Sequence, residues 1–101
     1  MKLEVAESAW ESLVQLTEYW SDFRSPERID ERVDELWDTV DWLLRHPHAG
    51  PKEKYLEDLQ LGHRCWRVRE VKIVYRVVGK VLRVTQFFDA RQDPDKMRVE
   101  P

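Results

Sequence analysis

The sequence predicts an α+β domain of order β-α-α-β-β-β, an antiparallel sheet with a helical hairpin on one face and a short C-terminal helix. Two observations predict it. Apolar residues recur at three- and four-residue steps through the first half, the period of helices buried along one stripe. From residue 63 onward they alternate, the period of half-buried strands. The few glycines and prolines fall at the joints between these segments.

Lys2 to Val5 alternates and reads as an edge strand. Ser8 and Glu11 have capping-box spacing, so the first helix is expected to begin there. Trp10, Leu13, Leu16, Trp20 and Phe23 form its apolar stripe, and the tryptophans are expected in the core. Ser25-Pro26 supplies an N-cap followed by proline at the first helical position. Ile29, Val33, Leu36, Trp37, Val40, Leu43 and Leu44 share one face of the second helix. Arg45 and His46 suit its C-terminal dipole, and Pro47 stops it. The short connection makes the helices an antiparallel pair.

Gly50-Pro51 breaks the chain, and the charged run after it, with Lys52, Glu53, Lys54 and Glu57, reads as a solvated loop, with a place near an active site as the alternative. His63 to Arg69, Val71 to Val78 and Val81 to Phe88 read as three strands. Gly79 stands first in a two-residue loop, the type II′ hairpin signature, and Arg69-Glu70 is a second turn. Asp93-Pro94 opens the final short helix.

A chain of 101 residues has room for one hydrophobic core, so residues 1–101 are expected to form a single domain. No segment has the length of a membrane span, and the N-terminus has no secretory pattern. One cysteine, Cys65, forms no internal disulfide and suits a reducing compartment, so a cytoplasmic location is expected. His46, His48 and His63 lack the convergent third ligand a metal site needs, and neither metal nor cofactor is expected. The net charge of −3 conceals an asymmetry. Residues 1–50 hold five Lys or Arg against twelve Asp or Glu, and residues 51–101 hold twelve against eight. The second half is the one suited to an anionic partner.

Two-residue turns dictate the register. They place Arg67 opposite Lys72 and Arg76 opposite Arg83, with Trp66, Val68, Val71, Ile73, Tyr75, Val77, Leu82 and Val84 on the core face. Arg67, Lys72, Arg76 and Arg83 then share the open face with Val74 and Thr85. Like charges opposite one another repel, which favours an anionic partner there. The same residues also suit the plain solvated face of a half-exposed sheet.

Several segments resemble one superfamily in order. Ala9, Leu13, Leu16 and Tyr19 resemble the first-helix pattern of ParE-like toxins. Leu43-Leu44-Arg45-His46-Pro47-His48-Ala49-Gly50 resembles their helix-ending "P-x-x-G" segment. Cys65-Trp66-Arg67-Val68-Arg69 and Lys72-Ile73-Val74-Tyr75-Arg76-Val77 resemble the paired strands, and Phe88-Asp89-Ala90-Arg91-Gln92-Asp93-Pro94 resembles the "FDTRQNP" ending of plasmid-stabilisation members. The chain thus resembles the RelE/ParE superfamily, toxins of bacterial type II toxin–antitoxin systems.

That resemblance implies a cognate antitoxin as partner and growth inhibition as activity. The expected route is ribosome-dependent mRNA cleavage. Inhibition of DNA gyrase, or a non-toxic interaction module on the same fold, are the alternatives. Cleavage directs the ribose 2′-OH at the adjacent phosphate and needs a base, an acid and cations. On the family pattern Arg67, Arg69 and Lys72 occupy the places of basic catalytic residues, and Arg91 lies near the late arginine; Arg67, Lys72 and Arg91 are therefore the expected catalytic residues. With the register added, Arg67, Arg69, Lys72, Arg76 and Arg83 are the residues expected to contact nucleic acid. No tyrosine or histidine occupies the C-terminal position where many ribonuclease members carry an acid or base, which leaves His63 or a lysine to substitute. Asp89 and Arg91 are placed to pair with each other and fix the tail.

Overall fold

The computed structural model describes residues 1–97. In chain order it contains β1 (Lys2–Val5), α1 (Glu7–Trp20), α2 (Pro26–Arg45), a 3-10 segment (Lys54–Leu59), β2 (Arg64–Val68), β3 (Val71–Val78), β4 (Val81–Asp89) and a 3-10 turn (Pro94–Lys96). The main elements follow the expected order. The strands form one sheet ordered β1-β4-β3-β2, with β1 parallel to β4 and the other neighbours antiparallel.

α1 differs from expectation at its start. Ala6 occupies the N-cap without a side-chain cap, and Ser8 lies inside the first turn. The serine hydroxyls serve the sheet instead. β1 pairs only with Val81 to Val84, so the rest of that β4 edge would otherwise present bare backbone. Ala6 N–H donates to the Val84 carbonyl at 2.9 Å. Ser8 Oγ donates to the Thr85 carbonyl at 2.6 Å, and Ser12 Oγ accepts the Phe87 N–H at 2.9 Å. The helix continues the work of the strand that precedes it.

α2 begins as predicted, with Ser25 accepting the Arg28 N–H and Pro26 in the first turn. The core lies between hairpin and sheet. Leu13, Leu16 and Trp20 of α1 and Leu36, Val40 and Leu43 of α2 meet Val71, Ile73, Tyr75, Leu82, Val84 and Phe87. Trp10 and Phe23, expected in the stripe, are half exposed. Ala9, Leu13, Leu16 and Trp20 already fill the arc facing the sheet, and Phe23 falls beyond the helix end.

Both hairpins have the predicted register, with Arg67 opposite Lys72 and Arg76 opposite Arg83. Between them the β3–β4 ladder shifts: Val74 pairs with Gln86 and Tyr75 with Val84, leaving Thr85 as the extra residue. This bulge turns Phe87 into the main core. Phe88 faces the other way and packs with Val74, Leu56 and Met97. Val74 and Thr85 are therefore buried, contrary to their expected place on an open face. The segment read as a solvated loop folds back across the middle of the sheet.

Candidate nucleic-acid interface

Strand alternation gathers Arg67, Lys72, Arg76 and Arg83 on the sheet face away from α1 and α2. The second apolar cluster divides that face. Val74, midway between Lys72 and Arg76 along β3, is sealed beneath Leu56 and Met97. Lys72 and Arg76 stand four residues apart, roughly 13 Å along the strand. The result is two basic patches, one at Arg67 and Lys72 and one at Arg76 and Arg83.

Their charges are not equally available. Lys72 Nζ donates to Glu53 Oε2 at 3.1 Å, and Arg83 pairs with Glu4. Arg67 Nε donates to the Arg69 carbonyl at 2.8 Å, and Arg76 Nε to the Leu61 carbonyl at 3.0 Å. Those two arginines bond neutral oxygens, and among the described residues neither has a carboxylate partner.

Glu53 is the residue whose setting differs most from the solvated loop expected for it. It reads as part of a charged loop, yet it is 1% exposed. The fold draws it in because its own N–H donates to the His63 carbonyl at 2.9 Å and its carboxylate receives the Tyr55 N–H. Burial pushes its carboxyl pKa up, but hydrogen bonds from Lys72, the Cys65 thiol and the Tyr55 N–H outweigh that and hold it below the ordinary value. Burial and the neighbouring Glu53 push the Cys65 thiol up to about 11, so the thiol is protonated and a poor nucleophile. Lys72 Nζ also lies 5.4 Å from the centre of the half-exposed Tyr55 ring. No local pattern in the sequence marks Glu53 as buried, because its side-chain partners Cys65 and Lys72 lie 12 and 19 residues away.

The remaining predicted residues lie elsewhere. Arg69 occupies the first position of the β2–β3 turn with φ of 55° and donates to both carboxylate oxygens of Glu35 on α2, at 2.9 and 3.3 Å. It belongs to the helical side, away from Arg67 and Lys72. Arg91 grips Asp89 with two bonds, Nε to Oδ1 at 3.1 Å and Nη2 to Oδ2 at 2.9 Å, and its own N–H also reaches Oδ1. Arg91 holds the Asp89 carboxyl below its usual range. The tail-fixing pair expected from the sequence is formed, and Arg91 is committed to it. His63, the candidate base, is 3% exposed.

Among the described residues no three His, Cys, Asp or Glu side chains converge as metal ligands would, and no helix is long and apolar enough to cross a membrane. The chain matches no protein-family model and no curated protein. Among solved structures it superposes on a chain from the chromosomal ParDE TA (toxin–antitoxin) system of P. aeruginosa, with a TM-score of 0.76 and 18% identity. The superposition covers 90% of this chain and 97% of that one.

The two chains share a fold.

Coverage of this extent is too large for the likeness to rest on an isolated hairpin. With the fold in common and so few residues identical, side-chain roles rest on the contacts described above.

Proposed function

We propose that the chain is the toxin component of a type II toxin–antitoxin module, neutralised by a cognate antitoxin, and that it arrests growth by engaging DNA gyrase. The observation that carries the toxin reading is the near-complete superposition on a chain of the ParDE system, together with the superfamily motifs in the same order. The choice of target rests on the chemistry beside Arg67 and Lys72. Cleavage at a 2′-OH needs a group that exchanges a proton near neutral pH. The Glu53 carboxyl is held low and shielded, the Cys65 thiol is pushed up to about 11, and His63 is buried. Arg67 and Arg76, which among the described residues bond only neutral oxygens, suit contact with an anionic surface better than turnover.

Ribosome-dependent mRNA cleavage is the second reading, favoured by one observation. Arg67 and Lys72 stand directly opposite each other with Tyr55 alongside, as cations and a proton donor around a phosphate would. In this reading Arg91 supports the tail rather than the phosphate.

Expression of the chain should arrest growth, and co-expression of a neighbouring reading frame encoding the antitoxin should relieve the arrest. Absence of arrest would favour the non-toxic interaction module. Purified protein should then inhibit supercoiling by gyrase while leaving mRNA intact in a translation reaction. Cleaved mRNA that disappears in Arg67→Ala/Lys72→Ala would overturn the gyrase reading and establish the other.

A further inference from the structure

The turn of the Arg69 side chain from the sheet face toward α2 creates a second basic site on the helical side. Arg24, Arg28 and Arg32 stand at four-residue intervals, the last two on one side of α2. With Arg69 from the β2–β3 turn they line a cavity of about 150 Å³, to which Glu31 and Glu35 also contribute. Four guanidinium groups do not gather unless something compensates them. Glu70 pairs with Arg32 and, at 3.7 Å, with Arg24. Glu35 takes Arg69, and Glu31 lies 3.9 Å from Arg28.

Three carboxylates thus face four cations, which leaves one positive charge in surplus. The surplus lies with Arg24 and Arg32, which share Glu70 and whose side chains are 24% and 16% exposed, and the outer pair covering them is loose. Arg28 and Glu31 form the loosest of these pairs, with side chains 76% and 70% exposed, and such a contact contributes little. The inner half is rigid by comparison. The guanidinium carbons of Arg24 and Arg32 lie 5.3 and 5.0 Å from the centre of the buried Trp20 ring. Arg24 Nη1 is buried and has no hydrogen-bond partner among the described residues, a state that normally has a cause.

We propose that this cavity binds the phosphate group of a ligand, with Arg28 and Arg69 closing on it over the base formed by Arg24 and Arg32. A tetrahedral oxyanion suits guanidinium groups that arrive from two different elements, because each oxygen can take a separate N–H fork. The phosphate is either free or carried on a nucleotide or nucleic-acid strand. The inference does not depend on the toxin reading, since it concerns other residues and another face.

The test uses the full chain at constant ionic strength. Inorganic phosphate, thymidine 5′-monophosphate and thymidine are titrated while arginine Nε–Hε signals are followed by NMR. Phosphate-bearing probes should shift the Arg28 and Arg69 signals saturably, and thymidine should not. Tighter binding of the monophosphate than of inorganic phosphate assigns the site to nucleotides or nucleic acid, and equal binding assigns it to free phosphate. Arg28→Gln/Arg69→Gln should weaken binding at least tenfold, whereas Arg45→Gln/Lys80→Gln, which removes the same charge elsewhere, should change it less than twofold. Glu35→Gln, which frees Arg69, should tighten binding several-fold; a purely structural cluster would not respond so. No saturable shift, or equal weakening by both double variants, overturns the proposal. Thermal unfolding of each variant confirms that it is folded.

Discussion

The Tyr75 hydroxyl accepts the N–H of Gly50 at 3.0 Å and donates to the Pro47 carbonyl at 2.9 Å. A core strand thereby holds the turn that ends the helical hairpin, and two motif fragments 25 residues apart become one structural unit. Glycine is required at position 50 for space: a Cβ there would lie 2.6 Å from both the Cys65 carbonyl oxygen and the Tyr75 hydroxyl. Gly50→Ala should therefore destabilise the domain by about 1–3 kcal/mol, as overpacking does. Tyr75→Phe strands the buried Gly50 N–H and should cost roughly 1–3 kcal/mol. Chemical denaturation measures both. A neutral Gly50→Ala would mean that the turn shifts freely and that the contact is unimportant.

The Glu53–Lys72 pair predicts an acid-sensitive element of stability. The folded-state pKa of Glu53 lies below its ordinary value of 4.5. The contribution is therefore complete above about pH 4.5 and is lost as pH falls through the folded value. Lys72→Met leaves a buried carboxylate without its cation and should cost roughly 3 kcal/mol at neutral pH. Burial then dominates and raises the Glu53 pKa, so protonation favours the folded variant. The gap in melting temperature between wild type and Lys72→Met should narrow between pH 7 and pH 4. A gap that stays constant with pH would place the cost outside this pair.

Cys65 should react slowly. With its thiol pushed from 9.0 up to about 11, the thiolate fraction at pH 8 is about a hundredfold below that of an ordinary thiol, and alkylation slows accordingly. Glu53→Gln removes the carboxylate that disfavours the thiolate and should speed the reaction. Iodoacetamide labelling followed by mass spectrometry reads both rates. Ordinary reactivity in the wild type would contradict the buried arrangement.

Arg69 occupies a backbone conformation that favours glycine, with φ of 55°. Its pairing with Glu35 accompanies the strain rather than removing it. Arg69→Ala loses the pair and keeps the strain, whereas Arg69→Gly loses the pair and relieves it. The glycine variant should melt several degrees above the alanine variant. The reverse order would mean that the turn relaxes once the side chain is gone.

Local patterning was enough to read the two helices, the cross-strand register of Arg67 with Lys72 and Arg76 with Arg83, and the Ser25-Pro26 start of α2. Each follows from a period or a turn carried by neighbouring residues. The tertiary structure alone decided that Ser8 and Ser12 satisfy a strand edge, that Thr85 bulges and redirects Phe87 and Phe88, and that Leu56, Val74 and Met97 divide the basic face. It also decided that Glu53 is buried against Lys72 and that Arg69 leaves the sheet for Glu35. These depend on partners distant in the chain, whose hydrogen bonds and charges are satisfied only when separate elements meet, and no local period records that meeting.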